Sequence, residues 1–214
     1  MIFPELWIVA GPNGAGKTTC AKAKPISDLL PDVPFLNPDD RTLVKLRSAG
    51  YAGFQDAPGD MQTRLFFESA DEVFDELKQA LAQKKKVGVE TVLSSDKYRV
   101  LVDGVRKDGG IVALIYVALS SPSIAKERVG IRVQRGGHGI PDDKIEQRWK
   151  RSLDNLGWFA ERATDFWVID NSSSDPQTSP ALVAWGKLGR IEYLDENAFP
   201  EMKAALASLK PPST

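Results

Sequence analysis

The chain has 214 residues, of which 42% are hydrophobic and 27% are charged, and its formal net charge is −1. This is the composition of an ordinary globular protein, and the near-neutral charge argues against general coating of nucleic acid, which needs a strongly basic domain. One cysteine excludes an internal disulfide, and together with one histidine it leaves no ligand set for a structural zinc ion. No apolar run reaches the roughly 18 residues of a membrane span, and the first ten residues lack the features of a signal peptide. We therefore expect a soluble, cytoplasmic protein with no membrane partner.

Short apolar runs alternate with longer amphipathic ones, a pattern typical of a parallel β-sheet covered by helices. Strands are predicted at residues 6–10, 33–36, 87–89, 111–119, 166–169, 181–185 and 191–194, with 111–119 as the central strand. Helices are predicted at 19–24, 59–83 and 198–209. No repeat or long linker divides the chain, so we expect a single α/β domain over residues 1–214.

A phosphate-binding loop follows the first predicted strand. Residues 11–18 have the sequence GPNGAGKT, which satisfies the pattern G-x-x-x-x-G-K-[ST] in full. Glycines let backbone N–H groups close around phosphate oxygens, Lys17 adds a positive charge near the outer phosphates, and the Thr18 hydroxyl suits magnesium. The predicted nucleotide-binding residues are Gly11, Pro12, Asn13, Gly14, Ala15, Gly16, Lys17, Thr18 and Thr19. The motif predicts a protein that binds a nucleoside triphosphate.

Several classes of phosphate-loop protein are disfavoured by motifs that the sequence lacks. It has no LSGGQ-like segment of a transporter ATPase and no N-K-x-D segment for guanine recognition. The central apolar run ends in Ser120-Ser121, not in the Asp that a motor or a GTPase usually shows. What remains is a small kinase, which needs an acceptor pocket, a base and cations over the transferred phosphoryl group.

Two acidic segments are candidates for that chemistry. Asn37-Pro38-Asp39-Asp40 follows the second predicted strand, where a carboxylate can accept the proton of an acceptor hydroxyl. The same residues also suit a helix N-terminus, with Asn37 as the cap, and both interpretations can hold together. Glu90-Thr91 ends another strand, where it can bind substrate, help to position magnesium, or be an ordinary loop carboxylate.

Residues 124–151 contain eight Lys or Arg against four Asp or Glu. Arg128, Arg132 and Arg135 have the spacing i, i+4, i+7, which would place three guanidinium groups on one helix face, suited to phosphate oxygens. The break GGHGIP at residues 136–141 suggests a closing lid, and His138 within it is a candidate substrate contact. The alternative is a solvated, salt-bridged helix face with an incidental histidine.

Taken in order, these motifs resemble the zeta toxin family over about residues 7–171. The resemblance depends on GPNGAGKTT, NPDD, ETVLS, ERV followed by RGGHGIP, and DNS at 170–172. It implies a P-loop kinase fold with a small helical lid, and a kinase that uses ATP and Mg²⁺ to phosphorylate a sugar hydroxyl of UDP-N-acetylglucosamine. It also implies an antitoxin protein as partner. The RGGH-x-IP lid is typical of a branch described as predicted ATPases.

The resemblance also implies roles for individual residues. Lys17 and Thr18 would serve ATP and magnesium, and Asp39 would be the base. Glu90 and Thr91 would line the acceptor pocket. From the arginine-rich segment itself we also expect Arg132 and His138 to bind the substrate. Arg128 and either Arg135 or Arg132 would neutralise the transferred phosphoryl group. Two alternatives stay open: an ATP-binding regulatory module without an acceptor, and a kinase that acts on a dinucleotide or a nucleic-acid end.

Overall fold

Seven strands form one sheet at the centre of the computed structural model, which describes residues 2–22, 26–33, 35–175 and 178–211. The strand order is β2-β3-β1-β4-β5-β6-β7, with β1 to β5 parallel and β6 and β7 antiparallel to their neighbours. The strands are β1 Glu5–Ala10, β2 Phe35–Leu36, β3 Lys86–Thr91, β4 Ile111–Ala118, β5 Asp165–Asp170, β6 Ala181–Lys187 and β7 Arg190–Leu194.

Helices cover both faces of this sheet. They are α1 Lys17–Lys22, α2 Ile26–Leu29, α3 Pro38–Ser48, α4 Gly59–Ala82, α5 Arg99–Lys107, α6 Pro122–Gln134, α7 Asp142–Arg162 and α8 Pro200–Leu206, with a short 3-10 helix at Phe54–Asp56. One apolar core joins the sheet to α4, α5, α8 and the second half of α7. The other joins it to α1, α2, α6 and the start of α7. The expected α/β fold with a largely parallel sheet is confirmed.

Strand β4 is the centre of the sheet, as its apolar sequence predicts. Every residue in it except Ile111 is buried. Because side chains alternate along a strand, Leu114 and Tyr116 enter one core while Ile115 and Val117 enter the other. A strand that is buried on both faces has to be apolar throughout, and this is why its sequence shows no alternation of polar residues.

The structure differs from the predicted elements in several places. Of predicted strand 33–36, only Phe35 and Leu36 form a strand, which is β2, and Pro34 lies outside the described residues. Residues 23 and 24 of predicted helix 19–24 also lie outside them. Helix α5 was not predicted, because its nine residues include a glycine and bury only a narrow apolar face. Strands β6 and β7 form a hairpin through Leu188 and Gly189, both at positive φ, and such a short turn joins only antiparallel strands.

The parallel pairing brings the carboxyl ends of three strands together. Ala10 at the end of β1 pairs with Thr91 on β3 and with Tyr116 near the end of β4. The loops that leave these strands therefore start from one edge of the sheet, which is where ligands bind in open α/β folds. Among the described residues, no helix is long and apolar enough to cross a membrane.

Helix α4 offers a direct test of the main core. Leu77 has no exposed surface, whereas Phe67 on the same helix is 64% exposed. We expect Leu77→Ala to lower the free energy of unfolding by about 2–5 kcal/mol, because it leaves a cavity in the core. Phe67→Ala should lower it by less than about 1 kcal/mol. Urea denaturation of the two variants measures the difference, and equal losses would contradict this description of the core.

Candidate functional site

The predicted phosphate-binding loop runs from the end of β1 into α1, and two of its glycines are required by close contacts. Gly11 has a φ of +144°, and a Cβ atom there would lie 2.1 Å from the carbonyl oxygen of Val117 on β4. Gly16 has a φ of +79°, and a Cβ atom there would lie 2.8 Å from Nδ2 of Asn171. Any side chain at either position would therefore displace the loop.

Lys17 begins α1 and folds back over this loop. Its Nζ donates hydrogen bonds to the carbonyl oxygens of Gly11, at 3.0 Å, and Pro12, at 3.2 Å. Burial lowers the pKa of Lys17, while the negative charges of Glu90 and Asp39 oppose the shift. The ammonium group is thus partly desolvated and close to two carboxylates. Such a group interacts strongly with a phosphate that reaches the loop.

Thr18 and Glu90 meet beside Lys17. The Thr18 hydroxyl lies 3.0 Å and 2.9 Å from the two carboxylate oxygens of Glu90, which accept its hydrogen. Burial raises the pKa of Glu90, while Lys17 and the hydrogen bond from Thr18 lower it. A hydroxyl and a carboxylate are the hard oxygen ligands that magnesium prefers. This contact favours a role of Glu90 in binding magnesium over a role in binding the acceptor substrate.

The described part of the chain contains no group of three His, Cys, Asp or Glu side chains that could hold a metal ion alone. Magnesium commonly takes only one or two protein ligands and completes its shell with phosphate and water. The Thr18 and Glu90 pair therefore fits magnesium that arrives with a nucleotide. The hydroxyl of Thr91, in contrast, is engaged inside the protein, where it accepts from the backbone N–H of Leu93 at 3.2 Å and pairs with the Tyr98 hydroxyl.

Asp39 lies in the first turn of α3, and its position is fixed by a helix cap. Oδ1 of Asn37 accepts the backbone N–H of Asp39 at 2.9 Å, and Pro38 occupies the first turn, as the capping interpretation predicted. The charge of Asp39 affects the pKa of Lys17, Glu90, Asp40, His138 and Arg148. Asp39 is therefore close to every ionisable group of the predicted site whose pKa is shifted.

A cleft of about 530 Å³ opens beside the phosphate-binding loop. Thr18, Asn37, Asp40 and Glu90 are among the residues that line it. Burial raises the pKa of Asp40, the neighbouring charge of Asp39 raises it further, and Lys22 opposes both. A second, more apolar cavity of about 330 Å³ lies between α4 and α5, and it contains none of the predicted site residues. Of these two cavities, only the cleft at the loop is lined by predicted site residues, which makes it the better candidate for a ligand site.

Arg128 on α6 connects the loop after β5 to the phosphate-binding loop. Its Nη1 and Nη2 atoms each donate at 2.7 Å, to the carbonyl oxygens of Asn171 and Ser173. The Asn171 side chain in turn donates from Nδ2 to the carbonyl oxygen of Ala15 at 2.8 Å. Both outer nitrogens of the guanidinium group are thus used inside the protein. This geometry favours a positioning role for Arg128 over direct contact with a phosphoryl group.

The other two predicted arginines differ from each other. Arg132 donates to the carbonyl oxygen of His138 at 2.7 Å, and its charge lowers the pKa of Lys17 and His138. Arg135 is exposed, and among the described residues its side chain has no hydrogen-bond or ion-pair partner. Helix α6 ends at Gln134, so Arg135 is its C-cap and the spacing i, i+7 does not continue the helical face. Only Arg132 of these two lies near the loop lysine.

Arg148 on α7 is a candidate site residue that the sequence analysis did not single out. Burial lowers the pKa of Arg148, the charge of Asp39 raises it, and the charge of Arg151 lowers it. Its helical spacing was a usable signal: Arg148 follows Ile145 by three residues and precedes Ser152 by four, and both are buried. An arginine on the inward face of a helix is expected to have a partner. Among the described residues, none accepts a hydrogen bond from the guanidinium group of Arg148.

The break between α6 and α7 closes onto the connection between α3 and α4. Nδ1 of His138 lies 3.2 Å from Oε1 of Gln62, and the imidazole ring packs on Phe54 with 4.7 Å between centroids. The Gln55 side chain donates to the carbonyl oxygen of Val133. On the far side of the break, Trp149 donates from Nε1 to the carbonyl oxygen of Leu119 at 2.8 Å. The predicted lid is thus attached at two places. Trp149 on α7 attaches it to the end of the sheet, and His138 in the break attaches it to Phe54 and Gln62.

A comparison with protein-family models gives one finding. The family model described as "Zeta toxin" matches residues 2–174. None of the curated proteins matched the sequence.

Solved structures show the same fold at low sequence identity. The AvrRxo1-ORF1:-ORF2 complex with ATP contains a chain that is 17% identical, with a TM-score of 0.69 and coverage of 96% of this chain and 64% of that chain. The PezAT toxin–antitoxin system of Streptococcus pneumoniae contains one that is 15% identical, with a TM-score of 0.55 and coverage of 80% and 69%. The match spans less than two thirds of the length of the AvrRxo1 chain.

Replacement of Glu90 tests the electrostatics of this site. Because burial raises the pKa of Glu90 above its usual 4.5, the native state loses stability as the pH rises through that shifted pKa. Glu90→Gln keeps an oxygen that can accept from Thr18 and removes the buried charge. We expect the ligand-free variant to be more stable than the wild type at neutral pH, and the difference to vanish below the usual pKa. Denaturant unfolding at the two pH values measures this, and a less stable variant at neutral pH would contradict it.

Proposed function

The chain belongs to the zeta toxin family, and we propose from this premise that it is an ATP-dependent kinase acting on a hydroxyl group of a small anionic metabolite. The acceptor that the family relationship favours is a nucleotide-sugar such as UDP-N-acetylglucosamine. The observation that carries the proposal is the position of Asp39. Its carboxylate lies within electrostatic range of Lys17 on the nucleotide side and of His138 and Arg148 on the other side.

On this proposal, the phosphate-binding loop and Lys17 hold the phosphates of ATP. Thr18 and Glu90 would hold magnesium, which when bound neutralises negative charge on the phosphates. Asp39 accepts the proton of the acceptor hydroxyl, the hydroxyl oxygen bonds to the γ-phosphorus, and the bond from that phosphorus to the β,γ-bridging oxygen breaks to release ADP. The presence of ATP in the AvrRxo1 complex supports the choice of nucleotide.

The cations of the site divide into two groups in this mechanism. Arg132 and Arg148 stabilise the charge that spreads over the transferred phosphoryl group, because both lie close to Lys17 or Asp39. Arg128 acts through the loop at Asn171, which it holds beside the phosphate-binding loop. A direct role for Arg135 requires the chain to move, since it is exposed at the end of α6. Residues 124–151 serve as the lid of one kinase domain over residues 1–214.

The family relationship also suggests a protein partner. One relative is the toxin of a toxin–antitoxin system, and another is bound to a second protein in its complex. We include an antitoxin as the partner of this chain within the same proposal. In this proposal Glu90 serves magnesium and the Thr91 hydroxyl is engaged inside the protein, so His138 is the predicted acceptor-pocket residue that is retained.

Replacement of Asp39 tests the kinase. Purified protein is incubated with ATP, magnesium and UDP-N-acetylglucosamine, and in parallel with a bacterial metabolite extract, and new phosphorylated species are detected by mass spectrometry. We expect Asp39→Asn to lose the product, because an amide cannot accept the hydroxyl proton. Asp60→Asn, the same change at an exposed residue in the first turn of α4, is the matched control and should keep activity.

The outcomes of that assay separate the alternatives. Equal ATP hydrolysis by wild type and Asp39→Asn, with nothing phosphorylated, would contradict the kinase and favour a regulatory ATPase. A product in the extract but none from UDP-N-acetylglucosamine would keep the kinase and change the acceptor. An acceptor that is a nucleic-acid end would add a steep dependence of binding on salt concentration.

Replacement of Arg148 tests the residue that the sequence analysis missed. We expect Arg148→Ala to lower kcat by about tenfold to a thousandfold with little change in the KM for ATP, because the lost charge acts mainly in the transition state. Arg151→Ala is the matched control, since Arg151 lies on the same helix but is exposed. Steady-state kinetics on both variants measures the effect. Similar losses in the two variants would exclude a specific role for Arg148.

A further inference from the structure

His138 is the one histidine of the sequence, and its imidazole is held in a defined orientation. Its ring packs on Phe54 and its Nδ1 faces Oε1 of Gln62 at 3.2 Å. Arg132 donates to its backbone carbonyl oxygen at 2.7 Å. The ring is therefore fixed from α4, from the 3-10 helix before it and from α6.

The Gln62 side chain determines which nitrogen of His138 carries hydrogen. Nε2 of Gln62 donates to the carbonyl oxygens of Phe54 at 2.6 Å and Ala57 at 2.9 Å. Carbonyl oxygens only accept, so the amide nitrogen must face them and the amide oxygen must face His138. That oxygen also only accepts. Nδ1 of His138 must therefore be the protonated nitrogen.

The charged groups around the ring favour its neutral form. Asp39 faces it from α3, Arg132 from α6 and Arg148 from α7, while Phe54 and Gln62 contribute no charge. Burial lowers the pKa of His138, the two arginines lower it further, and Asp39 opposes them. A neutral imidazole with hydrogen on Nδ1 has a lone pair on Nε2. Among the described residues, no group bonds to that nitrogen.

We propose that Nε2 of His138 is a specificity-determining hydrogen-bond acceptor for the second substrate. This inference rests on the proposed function, since it assumes that the acceptor hydroxyl is at Asp39. His138 and Asp39 would then accept hydrogen bonds from two donor groups of one molecule. The pocket thus selects an anionic metabolite with a second hydroxyl or N–H group near the hydroxyl that is phosphorylated.

The tautomer can be measured without any substrate. In protein labelled with ¹⁵N-histidine, the single imidazole gives one pair of ring nitrogen signals. We expect Nδ1 to resonate as a protonated nitrogen and Nε2 as an unprotonated one at neutral pH, the reverse of the usual preference of free histidine. Gln62→Leu should remove this preference, because it removes the acceptor for Nδ1. A wild-type ring with hydrogen on Nε2, or an averaged pair of signals, would overturn the inference.

Two substitutions at His138 separate substrate binding from a structural role. The amide oxygen of glutamine can occupy the position of Nε2, whereas asparagine can replace only Nδ1 and its bond to Gln62. With UDP-N-acetylglucosamine as the probe, we expect His138→Asn to raise its KM about tenfold and His138→Gln to raise it much less. The KM for ATP should stay the same in both variants.

The reverse order, with His138→Gln the more impaired, would show that the histidine only fastens the lid and would overturn the inference. Equal increases in the KM for UDP-N-acetylglucosamine would overturn it as well. A wild-type protein that phosphorylates neither this probe nor any component of the extract refutes the proposed kinase itself. The ring nitrogen signals still decide whether the tautomer is as inferred, so the two failures are distinguishable.

Discussion

The insertion of β1 between β3 and β4 is the constraint on which the rest of the site depends. Pairing in register on both sides brings the ends of β1, β3 and β4 to one edge. At that edge the chain has to leave β1 across the carbonyl oxygen of Val117, which only glycine permits at position 11. The same alignment places Glu90, at the end of β3, against Thr18 at the start of α1. The geometry of the loop and the contact between the two predicted magnesium ligands thus have a common origin in the strand order.

The ionisable groups of the predicted site are all partly buried, and nearby opposite charges do not fully offset the cost of removing them from water. Burial is the largest cause that lowers the pKa of Lys17, His138 and Arg148, and the largest that raises the pKa of Glu90 and Asp40. Both signs of charge are therefore held at some cost to stability in the ligand-free protein. Phosphate groups and a divalent cation would supply the missing opposite charges. The charged side chains are thus already in position in the ligand-free protein, and a bound nucleotide and cation would complete their ion pairs.

Much of this arrangement follows from local sequence. The phosphate-binding loop is specified by eight consecutive residues, the cap before Asp39 by four, and β4 by one apolar run. These features depend on backbone chemistry and on burial of a single element, so they are visible without a structure. The resemblance to the zeta toxin family added the roles assigned to individual residues, and the family itself is confirmed over residues 2–174.

What the sequence could not provide depends on the packing of elements that are distant along the chain. Arg148 is a candidate for the site because the charge of Asp39 raises its pKa, an interaction between residues more than a hundred positions apart. Arg135 is displaced because α6 ends one residue before it, and helix ends are the least predictable part of a helical pattern. The orientation of Gln62 follows from two carbonyl oxygens in a loop that has no sequence signature.

The position of β1 in the sheet also has a consequence for biosynthesis. The phosphate-binding loop is translated before both strands that flank β1, which come from residues 86–91 and 111–118. The amide that contacts the loop at Ala15 belongs to Asn171, which is translated much later. In a nascent chain, the sequence of the loop is therefore present long before the two strands and the Asn171 side chain that support its conformation. The loop therefore has all of these contacts only after Asn171 has been synthesised.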